Sequence, residues 1–83
     1  MRDYLKEVRD SFANVNKLLN EGEVREGTKK FNEVTRFLRE LPGVNKATPE
    51  YLSAKEFYKW NASEIALRFL DDFGVEVKPD NFI

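Results

Sequence analysis

The chain contains neither cysteine nor histidine. Without cysteine there is no disulfide and no thiolate metal site, which fits a reducing, cytoplasmic setting. Without histidine the commonest general base, the commonest metal ligand and the switch that titrates near neutral pH are all missing. Catalysis would have to rest on carboxylates, lysine, tyrosine or serine, and none of these is arranged for it. Asp71 and Asp72 are consecutive, and neighbouring helical positions do not face one another. Asp71, Asp72, Glu76 and Asp80 do not have calcium-loop spacing. Gly22-x-x-x-x-Gly27-Thr28-Lys29 ends in the wrong order for a phosphate-binding loop. The chain is therefore expected to be non-enzymatic, with no catalytic residue, cofactor or metal ion.

Long apolar runs are also missing, and the Arg2-Asp3 start leads into no signal-peptide core, so no membrane association is expected. Net charge is scarce too, at −1, although charged residues make up 35% of the chain. Residues 1–47 hold ten Lys/Arg against eight Asp/Glu, and residues 48–83 hold four against seven. Neither half is a strong electrostatic attractor for nucleic acid. Aromatic residues are skewed the other way, with seven of eleven at or after Tyr51. Eighty-three residues make one domain near the lower size limit for a single core. A typical stability for that length is about 4–12 kcal/mol.

What is present is helical periodicity. In residues 3–19, Leu5, Val8, Phe12, Val15 and Leu19 recur at alternating spacings of three and four, which draws one stripe on a helix. In residues 23–41, Val24, Phe31 and Leu38 interleave with Gly27, Val34 and Leu41. Gly27 stands where an apolar side chain is expected, at about 1 kcal/mol relative to alanine. It predicts close approach of this helix to the first, against Phe12 or Val15. Between the helices, Gly22 can close the first in a left-handed conformation, or Asn20 and Glu23 can form a capping box with Leu19 and Val24 as its staple. Either connection is short enough to make the helices antiparallel neighbours. Pro42-Gly43 ends the second helix and opens a loop over residues 42–47. Thr48-Pro49-Glu50 then starts a third helical segment: N-cap, proline at the first turn, acid near the helix N-terminus.

Residues 49–73 pose the main question. Asn61-Ala62-Ser63-Glu64 has the form of a capping box, with Trp60 and Ile65 placed as its staple, and this favours a kink or split at Asn61. An uninterrupted stripe Tyr51, Tyr58, Ala62, Ile65, Phe69, Phe73 argues for one helix. Gly74 is placed as its C-terminal cap. The tail, residues 75–83, alternates briefly like a strand but has nothing to pair with. It is expected to be extended, laid back on the helices through Phe82 and Ile83. The expected fold is all-α: an antiparallel hairpin of residues 3–19 and 23–41, packed on a C-terminal helical segment 49–73 that is kinked or split near Asn61.

Two functional expectations follow. Residues 51–70 carry Leu52, Phe57, Tyr58, Trp60, Leu67, Phe69 and Leu70 around most of the helix, and a helix apolar on several sides is covered on several sides. Asp71 and Asp72 sit at a helix C-terminus, where the dipole disfavours anions. Together they point to a protein-interaction or regulatory module, self-associating or bound to another protein, with Phe57, Trp60, Leu67, Asp71 and Asp72 as partner-binding residues. The alternative is a DNA-associated accessory protein. Ser63-Glu64-Ile65-Ala66, Leu70 and Gly74-Val75-x-Val77-x-Pro79 resemble the middle helix and turn of helix-turn-helix regulators. That resemblance implies a recognition helix next, and only four residues remain after Pro79. DNA contacts are then expected instead from Lys29, Lys30, Arg36 and Arg39. Gly22-x-x-x-x-Gly27-x-x-x-Phe31-x-x-Val34 also has the spacing of the second helix of a tetratricopeptide unit, without a matching first helix.

Overall fold

The computed structural model describes residues 3–40 and 48–80. Three helices account for nearly all of them: α1 (Tyr4–Asn20), α2 (Val24–Glu40) and α3 (Pro49–Phe73). The all-α expectation holds, with α1 and α2 forming the hairpin and α3 packed mainly along α1. The expected loop at 42–47 and the contacts expected of Phe82 and Ile83 lie outside the described residues.

Each helix end has an identifiable chemical cause. Asp3 caps α1, its carboxylate accepting from the Lys6 amide at 3.0 Å. Of the two possible corners, the glycine closure is the one formed. Gly22 has φ 76°, its amide donates to the Leu19 carbonyl at 3.0 Å, and the Glu23 amide donates to the Leu18 carbonyl at 2.8 Å. That pair of bonds is a Schellman closure, which needs a residue able to hold positive φ. Thr48 caps α3 through its hydroxyl and the Tyr51 amide. Gly74, at φ 68°, ends α3 with its amide on the Leu70 carbonyl.

The core is assembled from the three predicted stripes, with Ala54 added on α3. Val8, Phe12, Val15 and Leu19 come from α1, Phe31, Val34 and Leu38 from α2, and Tyr51, Ala54, Tyr58, Ala62, Ile65 and Phe69 from α3. Phe12 is the hub, with ring centroids of Phe31, Phe57 and Tyr58 at 6.1, 6.1 and 5.5 Å. Such ring pairs contribute about 0.5–1.5 kcal/mol each beyond burial. Gly27 is a close-approach site, as its position in the stripe predicts, but against a different neighbour. A β-carbon there would lie 3.0 Å from Leu19 Cδ2 and 3.6 Å from Phe69 Cζ. Its hydrogen lets α2 settle against α1 and α3 together.

The split expected at Asn61 does not occur, since α3 runs unbroken for 25 residues. Asn61 does not cap anything. Its side-chain amide donates to the Phe57 carbonyl one turn back, at 2.8 Å, so the polar group is satisfied within the continuing helix. With no proline or glycine to stop it, the helix follows the buried stripe rather than the local capping pattern. Trp60 and Ile65 consequently point to opposite sides instead of forming a staple: Ile65 is buried and Trp60 is 76% exposed.

The tail leaves α3 as an extended segment without strand pairing, and Val75 and Val77 pack against the core. It is tied to α2 and α3 by a hydrogen-bonded chain. The Thr35 hydroxyl donates to the Phe31 carbonyl at 3.1 Å. It is therefore placed to accept from the Tyr58 hydroxyl, 2.6 Å away. Tyr58 in turn accepts from the Asp80 amide at 3.1 Å. The Asp80 carboxylate pairs with Arg39. No polar side chain is buried without a partner among the described residues.

Candidate interaction surface

A helix advances about 100° per residue, so α3 presents two faces that its sequence does not separate into apolar and polar. The inner face is the core stripe. On the far side, Leu52, Trp60, Leu67 and Leu70 fall within a sector of about 80°. They are 45%, 76%, 57% and 52% exposed. These are the exposed large hydrophobic side chains of the described chain. Isolated exposed leucines are ordinary; four large apolar groups in register on one helix face form a patch. Ser63 lies between Trp60 and Leu67, and Glu56 between Leu52 and Trp60, on the same sector.

The edges of this stripe differ in charge. Toward α1 lie Glu64 and Asp71, and on the opposite edge Lys55 and Lys59. Among the described residues Asp71 and Lys59 have no ion-pair partner. Asp72, beside Asp71, is held by Arg68 Nε at 3.3 Å. Arg68 also reaches α1, with Nη1 3.2 Å from Asn16 Oδ1 and Nη2 2.5 Å from Asn20 Oδ1. This one guanidinium ties the end of α3 to α1 and offsets the Asp72 charge. The last turn of α3 has no basic residue of its own, so Asp71 opposes the helix dipole uncompensated.

The five partner-binding residues nominated from sequence thus fall in different settings. Trp60, Leu67 and Asp71 share the outer face. Phe57 turns toward α1 and is half-buried against Phe12. Asp72 is exposed and engaged by Arg68. Leu52 and Leu70, read in the sequence only as part of a general apolar excess, complete the stripe. Their signal was present: Leu52 and Leu70 are about five turns apart on one line.

Of the four cations nominated for nucleic acid, Arg36 and Arg39 line one open cleft together with Lys78, Glu40 and Asp80, whereas Lys30 lies apart from them. Lys29 and Arg36 are exposed on the outer side of α2. Lys30 lies on the other flank, 3.8 Å from Glu33, in a cleft also lined by Glu7 and Asp10. Arg39 is exposed and paired with Asp80. Glu33 and Glu40 alternate with these cations along the helix.

An open cleft of about 560 Å³ lies between α1 and α3, floored by Phe12, Phe57 and Ile65 and rimmed by Arg9, Asn16, Asn61, Glu64 and Arg68. Its rim holds charged and amide groups but no nucleophile paired with a base. No group of acidic side chains suited to a metal ion occurs among the described residues. No helix among them is long and apolar enough to cross a membrane. The Tyr51 hydroxyl, which donates to the Leu38 carbonyl at 3.2 Å, has its pKa raised above the usual phenol value, first by burial and then by the Asp80 carboxylate. That group is structural: it joins α3 to the end of α2.

No protein-family model matches this chain, and no curated protein and no solved structure matches it either.

Proposed function

We propose that the protein is a small helical interaction module whose docking surface is the outer face of α3. The observation that carries this reading is the exposed stripe Leu52, Trp60, Leu67 and Leu70, on a helix whose opposite face already closes the core. Exposing a tryptophan and three leucines in register has an unfavourable hydration cost of about 25 cal/mol per Å² of apolar area. Burial against a partner recovers it, and a centrally placed tryptophan is a frequent anchor of binding energy. The core does not need these side chains, and Val75 and Val77 of the tail pack on the core cluster.

The experiment is site-specific photocross-linking in the native host, with a photoreactive phenylalanine derivative replacing Trp60 in one variant and Lys29 in another. Adducts are expected from position 60 and not from position 29. Equal labelling at both positions, or none at 60, would contradict the proposal. For the nucleic-acid alternative, Lys29, Arg36 and Arg39 share one side of α2, but Glu33 and Glu40 are interleaved with them and Arg39 is paired with Asp80.

A further inference from the structure

We infer that the groove between α2 and α3 is a site for an extended peptide, which residues 75–80 occupy as a strap and vacate for a partner segment of the same chemistry. That chemistry is two aliphatic side chains two positions apart, then a carboxylate three positions further on, as in Val75, Val77 and Asp80. The site draws on the inner stripe of α3, through Tyr58, and not on its outer face. Of the three helix pairs, α2 and α3 touch each other least, and the strap bridges them. Val75 and Val77 pack on the core cluster. At its far end the Asp80 carboxylate pairs with Arg39 of α2, and the Asp80 amide donates to the Tyr58 hydroxyl of α3 at 3.1 Å.

The strap is held in the way a bound peptide is held. Val75 and Val77 are half-buried while Glu76 and Lys78 are exposed, so one edge of an extended chain faces inward with a period of two. Among the described residues, 76–78 make no backbone–backbone hydrogen bond. Gly74, at φ 68°, turns the chain at the end of α3, and the strap then runs back toward Tyr58. Tyr58 stands 15 positions before Phe73, and Asp80 stands 7 after it. The first distance is about 22 Å of helix and the second about 23 Å of fully extended chain, so the strap is drawn out nearly straight. The Asp80 side chain is only 12% exposed. Arg36, Arg39, Glu40 and Lys78 line the cleft beside it. With the strap gone, Arg36 and Arg39 against Glu40 leave that end of the groove positive, which selects a carboxylate. A segment fixed by side chains and few backbone bonds belongs to the part of a fold that opens locally. Opening uncovers the Tyr58 hydroxyl and the apolar floor under both valines, and a matching segment of another chain makes the same contacts. Its competitor is the strap, tethered at an effective concentration of about millimolar.

The test is a titration of the isotope-labelled full chain with a free peptide of residues 74–80, acetylated and amidated. Amide shifts of Thr35, Arg39 and Tyr58 are read by nuclear magnetic resonance. The wild type is expected to bind weakly, because its strap competes. Val77→Asp, which drives the strap out, is expected to bind the peptide at least about tenfold more tightly. Asp80→Asn keeps both valines and loosens only the Arg39 end, and a gain of about threefold is expected; it decides the matter should Val77→Asp fail to fold. A peptide with lysine in place of Asp80 is expected to bind none of the three proteins. Peptide affinity unchanged by Asp80→Asn or by a folded Val77→Asp would overturn the strap. Equal binding of the lysine peptide, or shifts confined to residues outside the groove, would overturn the site.

Discussion

The two faces of α3 are similar in hydrophobicity and opposite in fate. The inner face is built from Tyr51, Ala54, Tyr58, Ala62, Ile65 and Phe69, alternating small and large groups that mesh with α1 and α2. Its hydroxyls are accounted for: Tyr51 bonds the Leu38 carbonyl, and Tyr58 joins Thr35 to the Asp80 amide. The outer face has Leu52, Trp60, Leu67 and Leu70, set among serine and glutamate and edged by Lys59 and Asp71, which have no ion-pair partner among the described residues. Close packing and complete hydrogen bonding mark a surface that is finished within the chain. Apolar bulk beside charge, at 45–76% exposure, marks one that the chain's own helices leave open. Composition does not distinguish the two; position relative to the other helices does.

If this contrast is right, substitutions on the two faces must separate stability from association. The largest effect belongs to the inner face. Phe69→Ala removes a fully buried ring that meets Phe31 edge-on at 6.0 Å. It should cost about 3–5 kcal/mol, enough to unfold much of the population, as read by urea denaturation. Gly27→Val comes next. Its β-carbon enters at 3.0 Å from a buried Leu19 side chain, and the added methyl groups press toward Phe69. Overpacking of about 1–3 kcal/mol is expected, read as a lower denaturation midpoint.

A smaller effect has a definite sign with pH. The Tyr51 pKa is raised in the folded chain, so folding holds the phenolic proton more tightly than the unfolded chain does. The associated stability is complete below the unfolded value near 10 and is lost as pH rises through the higher folded value. Tyr51→Phe should lower the urea midpoint at neutral pH, because the bond to Leu38 is gone, and should make its decline above about pH 10 shallower than in wild type. An equally steep alkaline decline in both proteins would remove Tyr51 from the account.

The smallest expected change in folding stability is at the outer face. Trp60→Glu should alter the unfolding free energy of the dilute monomer by no more than about 0.5 kcal/mol, despite removing the largest side chain in the protein. A loss comparable to that of Phe69→Ala would mean that Trp60 serves the fold, and the contrast between the faces would collapse.

Much of the fold was legible in the sequence because three- and four-residue spacing is a direct image of helix geometry. The stripes through Val8–Leu19, Phe31–Leu38 and Tyr51–Phe69 are the core that forms. Gly22 and Gly74 were readable as helix ends for the same reason, since only a positive φ lets the chain leave each helix as it does. The continuity of α3 was not legible. Asn61-Ala62-Ser63-Glu64 satisfies the local rules for a helix start, and only the tertiary burial of Tyr58, Ala62 and Ile65 along one line decides against it. The Leu19 and Phe69 contacts of Gly27 depend on how three helices settle together, so spacing within α2 could name a close approach but not its neighbour. The stripe of Leu52, Trp60, Leu67 and Leu70 was half-legible. The excess of apolar side chains on α3 is in the sequence, but which of them the core leaves uncovered depends on where α1 and α2 sit. The clamp of Arg39, Asp80, Tyr58 and Thr35 joins residues far apart in the chain and has no local signature.

The central claim is that the outer face of α3 is a docking surface and not part of the fold, and Trp60 is where it is most exposed to test. Photocross-linking from position 60 in the native host tests it most directly. The account predicts an adduct from position 60 and none from position 29; equal labelling at both positions, or none at position 60, would contradict it.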